Sequence, residues 1–177
     1  IKDFLKKKFC DNYSKYMRGG NTIVVSTGTA SIFIALQSFS LPKNSEVIIS
    51  PFNEPGPLCS INLLGLSPVV ADAEFGSLNC SYKQIKKKIS KKTKAAIIIH
   101  SGGEPAKIDQ ISKELKKKNI KLIEDCSQAS GGQFKGKMLG KFGDISAVST
   151  MFSKNLMMGG SGGIVFTKNK KFFKKII

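Results

Sequence analysis

The sequence predicts an α/β fold: a mostly parallel, seven-stranded sheet sandwiched by helices. Two observations carry that expectation. Short apolar, β-branched runs alternate along the chain with amphipathic stretches, which is the pattern of strand–helix–strand units. Several of the runs, Ala95-Ala96-Ile97-Ile98-Ile99 above all, are apolar at every position. A strand of that kind hides both faces and belongs in a sheet covered on both sides.

In chain order, a basic helix over residues 1–16 precedes a β-branched strand at 22–25. Ser26-Thr27-Gly28 then offers a cap and a tight turn ahead of an apolar helix at 29–39. The strand at 46–50 leads into a helix at 56–64, and the strand at 68–72 into a lysine-rich helix at 82–90. The apolar strand at 95–100 is followed by an amphipathic helix at 108–118. Strands at 121–124, 145–149 and 163–167 complete the sheet, and a terminal helix covers 169–177. No repeat, low-complexity tract or linker divides the 177 residues, so residues 1–177 are expected to form one unit.

Hydrophobic residues make up 41% of the chain and charged residues 23%, the proportions of a soluble globular protein. No segment approaches the roughly 20 apolar residues of a membrane span. The basic start lacks the apolar stretch and small-residue cleavage site of a secretory signal, so a cytoplasmic protein is expected. Cys10, Cys59, Cys80 and Cys126 form no CxxC pair, and none stands at metal-ligand spacing from the single histidine, His100. Free, mostly buried thiols and no zinc ligand set are expected.

The formal charge of +17 raises the question of a polyanionic partner. The cations are almost all lysine and fall in runs, Lys6-Lys7-Lys8, Lys86-Lys87-Lys88 and Lys116-Lys117-Lys118, on predicted amphipathic helices. No stacking aromatics interleave with them, as a single-strand binder requires. Solvated helix faces explain these runs better than nucleic acid does.

An open α/β sheet binds its ligand at the carboxyl ends of its strands. Polar or glycine-rich clusters follow four predicted strands: Ser26-Thr27-Gly28-Thr29, His100-Ser101-Gly102-Gly103, residues 125–128 and residues 149–154. The first opens a helix, whose unpartnered N–H groups make either a phosphate cradle or an ordinary Ser/Thr cap. Residues 131–138 read G-x-x-x-x-G-K-M, but Met138 has no hydroxyl to hold magnesium and the segment opens no helix, so this is not a nucleotide-phosphate loop. Gly159-Gly160-Ser161-Gly162-Gly163 lacks dinucleotide-loop spacing and leads into a strand. Asp125 ends an apolar strand, where its carboxylate either binds a protonated ring nitrogen or caps the segment that follows. Lys154 stands outside every lysine run, in an apolar, glycine-rich loop. A desolvated lysine there has a lowered pKa and can attack a carbonyl; on its own it also reads as a surface lysine.

Taken together, Gly28-Thr29-Ala30, His100-x-x-Gly103-x-Pro105, Glu124-Asp125-x-x-Gln128-Ala129, Gly143-Asp144, Ser149, Lys154-Asn155 and Gly162-Gly163 resemble the DegT/StrS family of nucleotide-sugar aminotransferases. The resemblance runs from about Phe4 to the end. It implies the large domain of the aspartate-aminotransferase fold class and pyridoxal 5′-phosphate as cofactor. Lys154 would attach the cofactor and move the proton, while Asp125 would pair with the pyridinium nitrogen and Gln128 with the phenolic oxygen. Gly28, Thr29, Ala30 and Ser149 would hold the phosphate. The implied reaction takes an amino group from an amino acid, glutamate above all, to a nucleotide-linked keto-sugar in surface-polysaccharide or glycan synthesis, within a homodimer. The family's carboxyl-terminal small domain is expected to lie outside residues 1–177.

Three positions depart from the pattern. Glu54 stands where an aromatic ring stacks on the cofactor, Thr150 replaces a phenylalanine, and Ser161 replaces a glutamate before Gly162-Gly163. These departures keep a second reading open, a truncated, catalytically silent member that binds a partner or persists as a relic. A related sugar-dehydratase branch replaces the cofactor lysine with histidine, and Lys154 counts against it.

Overall fold

The computed structural model describes residues 2–177. Its elements in chain order are α1 (Lys2–Tyr16), β1 (Asn21–Val25), α2 (Gly28–Ser38), β2 (Glu46–Ile49), α3 (Pro55–Leu63), β3 (Ser67–Val70), α4 (Tyr82–Lys88), β4 (Thr93–Ile99), α5 (Ile108–Lys117), β5 (Lys121–Asp125), β6 (Gln133–Phe134), β7 (Lys137–Met138), β8 (Ile145–Ser149), β9 (Gly163–Thr167) and α6 (Lys170–Ile176). Every predicted strand and helix is present, with ends displaced by a few residues. The expectation for Ile1 lies outside the described residues.

Seven strands form one sheet in the order β1-β9-β8-β5-β4-β2-β3. All pairs among β8, β5, β4, β2 and β3 are parallel, whereas β9 runs antiparallel to both of its neighbours, β1 and β8. The reversal follows from the connection. No helix separates β8 from β9, and a strand returning without a crossover lies antiparallel to the one before it.

The all-apolar strands divide their side chains between two layers. Ile48, Ile98 and Leu122 pack with Ile85 of α4 and Ile111 and Leu115 of α5 on one face. Val47, Ile49, Ile97 and Ile123 pack with Ala35 and Leu36 of α2 and Ile61 of α3 on the other. Successive residues of a strand point to opposite faces, so a doubly covered strand needs no polar position. Each fully buried isoleucine or leucine contributes about 1.5–3 kcal/mol.

Three features differ from the sequence expectations. Residues 131–138 include a short hairpin, β6–β7, turning through Lys135 and Gly136 with φ of 50° and 74°. All four cysteines are free, but only Cys80 and Cys126 are buried; Cys10 is half-buried and Cys59 exposed. The third is a cluster of potential metal ligands that residue spacing conceals: His100, Glu124 and Cys126 are buried with ligand atoms within 4.8 Å of one another.

Hydrogen bonding already occupies that cluster. Glu124 accepts the N–H groups of Gly140 (2.8 Å), Phe142 (2.6 Å) and Gly143 (2.5 Å). The Ala106 N–H points at His100 Nδ1 (3.2 Å), so the proton of the neutral ring sits on Nε2 and donates to Glu124 Oε2 at 3.4 Å. Burial first, then the neighbouring carboxylates of Glu124 and Asp125, push the Cys126 thiol well above its usual pKa, which keeps it protonated. The cluster fastens the 140–143 loop beneath β5.

Candidate active site

The carboxyl ends of β1, β2, β4, β5 and β8 meet around a cavity of about 270 Å³. Gly28, Thr29, Asp125, Gln128, Ser149 and Lys154 all line it. Residues up to 126 positions apart in sequence therefore share one wall (154 less 28). Ala30 is absent from the lining, and its N–H is held by the Thr27 hydroxyl at 3.0 Å. Thr27 is thus the N-cap of α2, and the Gly28 and Thr29 amides are left at the helix's open end.

Close backbone approach shapes the wall. A Cβ on Gly28 would fall 2.5 Å from the Ser149 Cβ, and one on Gly163 would run into the Thr27 carbonyl. These two glycines let β1, β8 and β9 converge behind the N-terminus of α2. Gly56 brings α3 against it from the other side, since a Cβ there would lie 2.9 Å from Thr29 Oγ1.

The Asp125 carboxylate accepts the Ser127 N–H at 3.0 Å, a local turn rather than a helix cap. No helix follows it to be capped, and the residue lines the cavity. Burial pushes the Asp125 carboxyl above its ordinary range; hydrogen bonds from Ser127 and the positive field of Lys154 oppose the shift. Lys154 is half-buried, its N–H bonded to the Met151 carbonyl at 2.9 Å, and forms no ion pair among the described residues. Gln128 Oε1 accepts the Gly102 N–H at 2.6 Å, which leaves its NH₂ as the group free to donate. The Ser149 N–H donates to Ser127 Oγ at 2.8 Å.

The cavity suits a ring that carries a protonated nitrogen and a phosphate arm. It offers a buried carboxylate, a half-buried amine, an amide donor and the open end of a helix. Glu54 also lines it and offers no ring to stack on such a ligand. Asn53 and Ser127 also line the cavity. Ser127 falls inside the 125–128 cluster, but Asn53, whose amide is buried without a hydrogen-bond partner, carried no sequence signal.

A mostly parallel sheet with a half-buried lysine and a buried carboxylate on one cavity at its carboxyl edge places the chain among α/β domains that keep a ligand site at that edge. The chain belongs to the DegT/DnrJ/EryC1/StrS aminotransferase family, which matches residues 5–177. It is 31% identical over 171 residues to GDP-perosamine synthase of Escherichia coli O157:H7, a match covering 97% of this chain and 47% of that protein. The aminotransferase of Psychrobacter cryohalolentis superposes with a TM-score of 0.93 at 29% identity, over 97% of this chain and 43% of that one. NtdA from Bacillus subtilis, solved with bound cofactor PMP, superposes with a TM-score of 0.90 at 26% identity, over 97% and 38%. The chain spans about half the length of the curated relatives it matches. Among the described residues, no helix is long and apolar enough to cross a membrane.

Proposed function

We propose that the protein containing this chain is a pyridoxal-phosphate-dependent nucleotide-sugar aminotransferase of surface-polysaccharide or glycan synthesis, with residues 1–177 as its cofactor-binding large domain. Cytoplasmic location and a homodimeric state belong to the same reading. The observation that carries it is the shared cavity of Lys154 and Asp125, in a fold whose relatives include GDP-perosamine synthase.

When bound, the cofactor supplies an electron sink for charge left on the substrate carbon. Lys154 Nζ would hold it covalently and would be the group placed to take up or give back a proton at the substrate carbon. The buried Asp125 carboxylate would accept the ring N–H in a charge-assisted bond. The Gln128 NH₂ donates to the phenolic oxygen. The Ser149 hydroxyl and the Gly28 and Thr29 amides would hold the phosphate, and the Ala30 N–H, which donates to the Thr27 hydroxyl, would be available to it only by leaving that bond. Around the cavity edge Phe52, Phe152 and Met157 are 53%, 70% and 63% exposed, an apolar rim suited to burial by a second copy.

Glu54 and Ser161 favour one other reading, a member that holds the cofactor without transferring nitrogen. The complete protein, supplied with cofactor, ¹⁵N-glutamate and GDP- or dTDP-linked keto-sugars, distinguishes the two by mass spectrometry of the sugar. Label in the sugar, lost in Lys154→Ala, is the expected result. Cofactor binding without label supports the silent reading, and a sugar that loses a hydroxyl without gaining nitrogen supports a dehydratase.

A further inference from the structure

The lysine runs, scattered in sequence, are gathered by the topology. In a parallel sheet with helical crossovers, the segments that precede strands and the ends of the crossover helices all fall at the strands' amino edge. Arg18 precedes β1, Lys43 precedes β2, and Lys91 and Lys92 precede β4. Lys118 precedes β5, Lys141 precedes β8, and Lys168 follows the antiparallel β9 at the same edge. Lys86-Lys87-Lys88 end α4 and Lys116-Lys117 end α5. Apart from the half-buried Lys141, all of these side chains are exposed.

Acidic residues are distributed the other way. Glu54, Asp72, Glu74 and Glu104 follow strands and Asp125 ends one, at the cavity edge. The acids near the amino edge are already engaged: Glu46 by the Ser90 and Thr93 hydroxyls, Asp144 by the Leu122 N–H and Glu114 by Lys117. Lysines in the last turns of α4 and α5 complement the helix dipoles. That explanation does not reach the loop cations Arg18, Lys43, Lys91, Lys92, Lys141 and Lys168.

At one point the cations crowd together. Lys141 Nζ donates to the Met17 carbonyl at 2.7 Å, beside Arg18. Burial, then Lys168, Arg18 and Lys137, push its pKa down, and none of the four forms an ion pair among the described residues. A cavity of about 360 Å³ at the same edge, lined in part by Lys116, Asn119, Lys121 and Asp144, adds a polar recess.

We propose that the amino edge of the sheet is a docking face for the anionic headgroups of a phospholipid bilayer, leaving the cavity on the opposite edge open. The cation chemistry selects this partner over nucleic acid. Arg18 is the sole arginine in the chain, so the guanidinium forks that read bases and phosphates bidentately are missing. The exposed rings of Phe52, Phe75 and Phe152 stand at the cavity edge; near the cations Phe142 and Phe172 are half-buried and already covered by Lys137 and Lys121, which leaves Tyr16 without a row of neighbouring rings on which bases could stack. Exposed ammonium groups spread over a broad edge match the diffuse negative potential of a cytoplasmic leaflet, at about 1 kcal/mol, or roughly fivefold in binding, for each lysine near the surface.

The test is sedimentation of the complete protein with phosphatidylcholine vesicles, with and without phosphatidylserine, at about 0.1 M salt, where the Debye length is roughly 10 Å. Binding to the anionic vesicles alone is expected, abolished by high salt. Lys91→Gln with Lys92→Gln should weaken it roughly 25-fold. Lys83→Gln with Lys107→Gln, at the opposite ends of α4 and α5, should leave it unchanged. No binding to anionic vesicles, equal weakening by both pairs, or tighter binding to duplex DNA than to vesicles at the same salt overturns the proposal.

Discussion

Lys154 and Asp125 line the same cavity, and the Lys154 charge is one of the fields that holds the Asp125 carboxyl down against the effect of its burial. The amine lies in the loop after β8 and the carboxylate ends β5, so a neighbouring pair of parallel strands delivers both.

That relationship makes Asp125 a liability for the fold and an asset for the reaction. Its folded pKa lies above the ordinary 3.8, so its contribution to stability is complete below that value and is lost as pH rises through the folded one. At neutral pH, in the absence of cofactor, Asp125→Asn should therefore raise Tm by about 2–4 °C, equivalent to roughly 1 kcal/mol. The same variant should lose transaminase activity. Calorimetry across pH checks it: the advantage of the variant should shrink on acidification, and a variant less stable than wild type at pH 7 contradicts the assignment.

Gly163→Ala tests the close approach behind the cradle. The added methyl meets the Thr27 backbone carbonyl, which cannot swing aside as a side chain can. A loss of about 1–3 kcal/mol in urea unfolding is expected, with weakened cofactor binding. Gly136→Ala, where a Cβ meets nothing within 4 Å, should cost less, the remaining strain coming from its φ of 74°.

Glu124→Gln should destabilise the protein by about 3 kcal/mol or more. Its amide NH₂ would face N–H groups that now converge on a carboxylate. Urea unfolding measures the loss, and a change below about 1 kcal/mol would show that the 140–143 loop does not depend on this anchor.

Glu54→Phe restores a ring at the cavity wall. Aromatic stacking contributes about 0.5–1.5 kcal/mol, so cofactor affinity should rise roughly two- to tenfold, read by fluorescence titration. Unchanged or weaker binding would mean that Glu54 does not occupy the stacking position.

The sheet was legible because β2, β4 and β5 are apolar on consecutive residues, and the site because its polar residues stand at or just after the ends of β1, β5 and β8. Lys154 stood out only by lying apart from the lysine runs; nothing local tells it from a surface lysine. The hairpin at 133–138 was too short for any periodicity to register. The His100–Glu124–Cys126 cluster, the withdrawal of the Ala30 amide and the gathering of lysines at one edge arise from tertiary packing, and no sequence spacing encodes them.

The most direct test of the central claim is borohydride reduction of the complete protein after incubation with pyridoxal phosphate, followed by peptide mass mapping. A single pyridoxyl adduct on Lys154, absent in Lys154→Ala, is predicted. Adducts spread over the exposed lysines, or a reduced protein with Lys154 unmodified, would contradict it.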